Sequence, residues 1–201
     1  MKKIGLLAFV LSLAVSSAMA GLGAGWTEQT WDFAQGGSQF GILASDDGNP
    51  FGIPNATIND LSGDRVQWNQ GGFWQGSDFK IFLDIPNQPI ANPEKLLWLE
   101  FAFQGEVSFL WVADFETGEF FHPVNAPEIV EDPTNGWKTF KQQWFFKPNP
   151  REEIVVIGLK GVAGNLAAID NVYIKTWCVP EPATLCLLGL GALSLLKRRN
   201  A

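Results

Sequence analysis

The chain has 201 residues, with 14 lysine and arginine residues against 21 aspartate and glutamate residues and a formal net charge of −7. Its basic residues cluster only at the extreme C-terminus, so it lacks the phosphate contacts on which nucleic-acid binding depends. One histidine in the whole chain also excludes a zinc site built from several histidines.

The first 20 residues have the pattern of an export signal. Lys2 and Lys3 precede an apolar run over residues 4–15, and small residues follow up to Ala20. The run is shorter than a membrane-spanning helix needs. We therefore expect recognition by Sec-type export machinery and cleavage after Ala20. The alternative is an uncleaved anchor or a buried helix.

Residues 21–178 are long enough for one domain with its own core. Because the terminal segments hold five of the basic residues and one of the acidic residues, this body carries a charge of about −11. Such a surface suits divalent cations, or serves only to keep the domain soluble.

Period-two alternation of apolar and polar residues recurs through the body, and helical periodicity does not. It predicts strands at 26–33, 79–85, 97–103, 107–115, 119–124, 137–146, 154–159 and 166–175, with loops over most of 36–76 and 123–136. The phase places Trp111 in the core with Phe109, and it places Trp98 on the face opposite Leu97. Strands of this number and spacing indicate a β-sandwich, with a jelly roll favoured.

Two tryptophans, Trp68 and Trp74, lie among amides and glycines that include Asn69 and Gln75. Aromatic rings beside amides suit sugar recognition, because the ring packs on the sugar while the amides bond its hydroxyls. These four residues are the candidate ligand site. The alternative is that both rings cap the end of the sandwich or pack under the glycine-rich loop.

Asp170 is the main candidate for a structural calcium site. Strict alternation would turn it to the same side as Val172 and Ile174, and a carboxylate turned inward needs a partner. The first strand offers Asp32 and Glu28, and calcium accepts six to eight oxygen ligands. The alternative is that Asp170 bonds to backbone or solvent. The turn at 46–49 is also oxygen-rich but lacks the further ligands of a calcium loop.

The sequence contains no recognisable catalytic motif. His122 has no serine or cysteine motif beside it, and the acids do not form the close cluster on one strand that jelly-roll glycosidases display. The sequence therefore predicts a protein that is not an enzyme.

The C-terminal segment, residues 179–201, has three consecutive parts. Val179, Pro180, Glu181 and Pro182 precede an apolar run over 183–196, and Lys197, Arg198 and Arg199 follow it. The run predicts a short membrane helix with the basic cluster on the cytoplasmic side. The cysteines, Cys178 and Cys186, lie at or beyond the edge of the body, so no disulfide framework is expected.

This order of motif, apolar helix and basic end resembles the PEP-CTERM protein-sorting domain, also labelled an ice-binding protein C-terminal domain. The resemblance implies cleavage by an exosortase-like transpeptidase after transient anchoring in the inner membrane. It also implies sorting to the envelope, outer surface or matrix of a Gram-negative-type bacterium that makes exopolysaccharide. It implies nothing about ice binding.

The body shows a second resemblance. Its opening W-T-E-Q-T-W-D-F and its ending A-A-I-D-N-V-Y-I, residues 167–174, look like the first and last strands of jelly rolls related to carbohydrate-binding modules. These strands pair in such folds. The favoured function is a non-catalytic carbohydrate-binding module, with exopolysaccharide as the partner. The alternatives are a structural or adhesion protein of the matrix and an unrecognised polysaccharide-active enzyme.

Overall fold

The computed structural model describes residues 26–87 and 94–179, and every regular element in them is a β-strand. The prediction of an all-β body is therefore confirmed for the described residues. The strands are β1 (Trp26–Trp31), β2 (Ile42–Leu43), β3 (Asp46–Asp47), β4 (Asn55–Asp60), β5 (Gln67–Asn69), β6 (Phe73–Gly76), β7 (Asp78–Pro86), β8 (Glu94–Gln104), β9 (Glu106–Asp114), β10 (Phe120–Phe121), β11 (Glu128–Glu131), β12 (Lys138–Phe146), β13 (Glu152–Lys160) and β14 (Ala167–Val179).

The strands form two antiparallel sheets. Sheet A has the order β11-β12-β8-β14-β1-β3, with β6 paired to β14 and β5 paired to β6. Sheet B has the order β10-β9-β13-β7-β4-β2. The first strand lies beside the last, with Trp26 opposite Trp177 and Trp31 opposite Val172. The predicted pairing of these two strands is confirmed.

The hydrophobic core lies between the sheets because the long strands alternate in polarity. Every second residue of β7 and β8 is buried, while the residues between them remain half-buried on the outer faces. Burying an aliphatic or phenyl side chain stabilises the fold by about 1.5–3 kcal/mol. The inward apolar side chains of these two strands are Phe79, Ile81, Leu83, Ile85, Leu97, Leu99, Phe101 and Phe103.

The segment 36–76 contains more strand than predicted. β4 pairs with β7 along its whole length, and its Ala56 and Ile58 are fully buried. β5 and β6 form a hairpin attached to sheet A. The loop prediction was wrong here because the two apolar residues of β4 lie among asparagine and aspartate residues that are typical of turns.

The segment 123–136 also contains a strand, contrary to prediction. β11 pairs with β12 at the edge of sheet A, and all four of its residues are exposed. An edge strand with neither face buried has no period-two signal to detect.

Trp111 lies outside the core, which corrects the predicted phase of β9. A β-bulge shifts the pairing of β9 with β13 next to Gly158. Val107 and Leu110, three residues apart, consequently both pack against the core. Trp111 is half-buried on the outer face, where it meets the Phe120 ring edge-on with centroids 5.4 Å apart. An extra residue in one strand reverses the alternation beyond it.

The predicted signal peptide, 1–20, and the predicted membrane helix, 183–196, lie outside the described residues. Within 26–87 and 94–179, no helix has the length and hydropathy that a membrane crossing requires.

Candidate functional site

The predicted tryptophan site lies on the β5–β6 hairpin, where Trp68 and Trp74 are directly opposite each other. Trp74 is only 4% exposed and belongs to the core. The Trp68 ring packs against the core and over Gly36, and its indole N–H donates to the Phe33 carbonyl at 2.9 Å. The geometry of both rings matches the packing alternative that the sequence left open.

The two amides of the predicted site lie close together, with Asn69 Nδ2 3.5 Å from Gln75 Oε1. Asn69 Oδ1 accepts the backbone N–H of Gly71 at 2.8 Å, so that side chain fixes the hairpin turn. Gln75 lines a surface cleft of about 590 Å³ with Gln104 and Lys138. Clefts that hold small ligands measure about 300–1,000 Å³. Gln75 is therefore the predicted residue that the structure brings to an open cleft.

The outer face of sheet A, the face turned away from the core, carries an apolar row across four strands. Trp26 lies opposite Trp177, which lies opposite Leu96, which in turn lies opposite Phe145. Trp26 is 45% exposed and Phe145 is 38% exposed. This row offers flat apolar surface at the end of the sheet where β14 finishes.

Trp98 lies in the next row and on the outer face of β8, as the sequence predicted. Its neighbours across the sheet are Lys175 on β14 and Gln143 on β12. Beyond Lys175, the same row continues to Glu28 on β1. An indole ring half-buried among an amine, an amide and a carboxylate combines stacking surface with hydrogen-bonding groups.

Glu28 organises the polar groups of this face. The Tyr173 hydroxyl donates to Glu28 Oε1 at 2.8 Å, and Lys175 Nζ lies 3.4 Å from Oε2. Lys175 Nζ also lies over the Trp26 ring, 5.4 Å from its centroid. Burial, followed by the hydrogen bond to Glu28 and its charge, raises the pKa of Tyr173 to about 12. The hydroxyl therefore remains a hydrogen-bond donor at neutral pH.

Two clefts follow each other along β8. A cleft of about 390 Å³ includes Glu100 and Tyr173, and the cleft at Gln75 includes Gln104. Since a strand rises about 3.3 Å per residue, the outward side chains from Leu96 to Gln104 cover about 26 Å. The outer face of sheet A is thus an elongated surface, aromatic at one end and rich in amides at the other.

The predicted calcium ligands are divided between two places. Glu28 is bonded to Tyr173 and Lys175, whereas Asp32 Oδ1 accepts the Ala34 backbone N–H at 3.1 Å. Burial raises the pKa of Asp170, and the charge of Asp32 adds to that shift. Within the described residues, no group of three or more histidine, cysteine or acidic side chains is placed to hold a metal ion. Calcium binding remains a prediction.

The expected orientation of Asp170 was wrong for the same reason as that of Trp111. A bulge interrupts β14 between Ile169 and Val172, and both of these residues are fully buried. Asp170 is half-buried between them and does not share the inward phase of Val172.

The oxygen-rich turn at 46–49 bonds to its own backbone. Asp47 Oδ1 accepts the backbone N–H of Asn49 at 2.8 Å, and Asn49 Oδ1 accepts that of Phe51 at 3.0 Å. His122 is exposed.

A pair of carboxyl groups, Asp84 on β7 and Glu152 on β13, lies on the outer face of sheet B. Asn55 Nδ2 donates to Asp84 Oδ2 at 2.9 Å, while Asp84 Oδ1 is buried without a donor among the described residues. The hydrogen bond to Asp84 is the largest cause that raises the pKa of Glu152 to about 7, ahead of burial and the Asp84 charge. A protonated Glu152 supplies the donor that Oδ1 lacks. The sequence gives no sign of this pair, because only the pairing of β7 with β13 brings the two acids together.

Comparison with known proteins identifies the C-terminal segment. Residues 179–200 match the family model of the PEP-CTERM protein-sorting motif. The motif marks an exported protein. It indicates processing by an exosortase and sorting to the cell envelope. Val179 is also the last residue of β14, so the motif begins where this strand ends, and the rest of the motif, 180–200, lies outside the described part.

No curated protein matches the chain. Among solved structures, the chain is similar to the enzymatically active domain of tailspike protein 4 of bacteriophage CBA120. The identity is 13% and the TM-score 0.28, over 75% of this chain. The chain spans about a fifth, 19%, of the tailspike chain. A likeness at this TM-score supports no argument about function.

Proposed function

We propose that this exported protein is a non-catalytic module that binds an extended stretch of envelope or matrix polysaccharide along the outer face of sheet A. The observation that carries the proposal is the register of Trp98 with hydrogen-bonding side chains on both neighbouring strands. A pyranose ring stacks on an indole through its apolar face while its hydroxyls need donors and acceptors nearby. Lys175 and Gln143 lie at those positions.

The elongated shape of the surface favours a polymer over a single sugar. The clefts at Glu100 and at Gln75 lie in line along β8, and both contain polar side chains able to bond hydroxyl groups. In this proposal Gln75 keeps the role that the sequence suggested for it. Trp98 takes over the stacking role that the sequence gave to Trp68 and Trp74.

Retention on immobilised exopolysaccharide from a producing strain tests the proposal. Removing a stacking ring at a binding hot spot costs about 2 kcal/mol or more, which is more than tenfold in affinity. We expect Trp98→Ala to weaken retention by that factor. Gln104→Ala should weaken it less, because it removes a single hydrogen-bonding side chain.

Trp111→Ala is the matched control, since it removes a half-buried tryptophan from the outer face of sheet B. It should leave retention unchanged. If Trp98→Ala and Trp111→Ala bind like the unaltered protein while all three remain folded, the outer face of sheet A does not bind the polymer.

A jelly-roll sandwich is part of the proposal. The adjacency of β1 and β14 supports it, as does the alternation of successive strands between the sheets from β6 to β9.

The proposal also includes two export steps, cleavage after Ala20 and transient anchoring by 183–196. Mass spectrometry of surface material should find an N-terminus at Gly21 and no Lys197–Ala201. An intact C-terminus in that material would contradict the processing step.

A structural role in the matrix is the second candidate, and β11 favours it. This strand ends the order of sheet A and is fully exposed, with Ile129 and Val130 50% and 54% exposed. Unpaired edge strands are templates for pairing with another chain. Val130→Pro should reduce self-association on size-exclusion chromatography if the edge mediates assembly. Unchanged elution would remove this candidate.

A further inference from the structure

A buried polar cluster connects the two sheets at the end where β7 finishes and β8 begins. Lys95 points inward from sheet A and Glu153 points inward from sheet B, with Lys95 Nζ 2.5 Å from Glu153 Oε1. Their side chains are 1% and 0% exposed. Phe146 lies opposite Lys95 within sheet A, and Ile85 lies opposite Glu153 within sheet B. The cluster therefore has an apolar neighbour within each sheet, while Asp114 on β9 lies on the other side of Glu153.

Asn87, which follows β7 directly, brings a carboxamide into the same cluster. Asn87 Nδ2 donates to Glu153 Oε1 at 3.1 Å and to Asn149 Oδ1 at 2.8 Å. Asn87 is 7% exposed. A single oxygen of Glu153 thus contacts both the amine of Lys95 and the amide nitrogen of Asn87.

We propose that Lys95 and Asn87 form an intramolecular isopeptide bond after the domain folds, with Glu153 as the proton-transfer group. Lys95 Nζ attacks the Cγ carbon of Asn87. The new Nζ–Cγ bond forms as the Cγ–Nδ2 bond breaks, and Nδ2 leaves as ammonia. Glu153 first takes one proton from Lys95 Nζ, which leaves a neutral amine. It gives that proton to the departing Nδ2 and takes a second proton from Nζ, so it ends as a neutral carboxyl group. The reaction needs no oxidant and no further reactant.

The surroundings favour this chemistry for two reasons. An amine attacks only when neutral, and two charges shielded from water are costly, so the pair gains by passing a proton from Lys95 to Glu153. Burial raises the pKa of Glu153 and outweighs the opposing effect of Lys95. The raised pKa favours the protonated carboxyl. In addition, the fold holds amine, amide and acid together, which replaces a bimolecular encounter by a unimolecular step.

The bond would tie Asn87, which follows β7 of sheet B, to β8 of sheet A across residues 88–93. The bond would be a covalent link in a domain whose described residues contain no disulfide. Such a link would help an exported protein to resist unfolding. The cross-link is independent of the polysaccharide proposal, since all three reacting residues lie in the interior.

The intact mass of the full chain and its tryptic map test the proposal. The cross-linked chain should weigh about 17 Da less than its sequence, the mass of one ammonia. Trypsin should fail to cut after Lys95, so that 81–138 replaces the peptide 81–95. After cleavage at Glu94, the fragments containing Asn87 and Lys95 should remain joined.

Variants separate this bond from a succinimide at Asn87, which also loses ammonia. Lys95→Arg and Glu153→Gln should each restore the full sequence mass, whereas a succinimide would survive Lys95→Arg. The map of the unaltered chain decides the matter even if a variant fails to fold. A full sequence mass with quantitative recovery of 81–95 would overturn the proposal, as would a bond mapped to Asn149.

Discussion

Replacing Glu152 by glutamine should make the stability of the domain less dependent on pH. In the folded protein the pKa of Glu152 is raised from 4.5 to about 7, chiefly by its hydrogen bond to Asp84. Below pH 4.5 the carboxyl is protonated in both folded and unfolded chains. Between pH 4.5 and 7 the unfolded chain loses the proton first, so the stability of the unaltered protein falls as pH rises.

The size of this effect follows from the shift. One pKa unit corresponds to 1.36 kcal/mol, so the full shift sets an upper limit of about 3 kcal/mol. Because Glu152 is partly exposed, solvent screening reduces the expected loss to about 1–2 kcal/mol above pH 7. Glutamine keeps a donor for Asp84 Oδ1 and carries no charge. Glu152→Gln should therefore match the unaltered protein near pH 4 and exceed it by that amount near pH 8.

Urea unfolding at pH 4, 6 and 8 measures the difference. Glu131→Gln is the matched control, because it removes one acidic charge from an exposed position on β11. Its effect on the free energy of unfolding should be small and nearly constant over the same range. If the free energies of unfolding of Glu152→Gln and of the unaltered protein differ by the same amount at all three pH values, the shared proton is refuted.

Three further predictions concern stability. Trp74→Ala should lower the free energy of unfolding by about 3–5 kcal/mol in urea, as large core truncations do, and a loss below 1 kcal/mol would contradict its place in the core. Measured against chains in which Lys95 is not linked to Asn87, Lys95→Met should cost about 3–5 kcal/mol because it leaves Glu153 buried without its partner, whereas Lys95→Met with Glu153→Leu should recover most of that loss. If calcium binds at Asp170, EDTA should lower the melting temperature, calcium should restore it, and Asp170→Ala should abolish the difference. Identical melting curves with and without EDTA would remove the metal.

The sequence predicts the fold where one face of a strand is buried and the alternation is uninterrupted. β7 shows this best, since its buried residues follow strict period two from Phe79 to Ile85. Prediction fails where the physical cause is not local. The bulges in β9 and β14 depend on pairing with a neighbouring strand, and each reverses the phase that assigned Trp111 and Asp170 to the core side.

The candidate site was predictable in part. Trp98 lies between the inward residues Leu97 and Leu99, and this alternation alone places it on the outer face of β8. Trp74 gives no such signal, because a tryptophan in a segment rich in glutamine and glycine is equally compatible with an exposed ring and with a buried one. Asp84 and Glu152 belong to strands that meet only in the folded sheet, so no sequence spacing could reveal their shared proton.

The direction of β14 connects the sorting motif with the proposed binding surface. This strand runs from Ala167 beside the cleft at Gln75 to Val179, where the motif begins. At about 3.3 Å per residue the two ends of β14 are about 40 Å apart. A protein attached through its C-terminal end therefore holds the amide-lined cleft at the distal end of sheet A, with the aromatic row of Trp26 and Trp177 nearest the attachment. A polymer bound along β8 would run away from the attachment point, so processing at the motif and binding at the distal cleft can occur on the same molecule without obstructing each other.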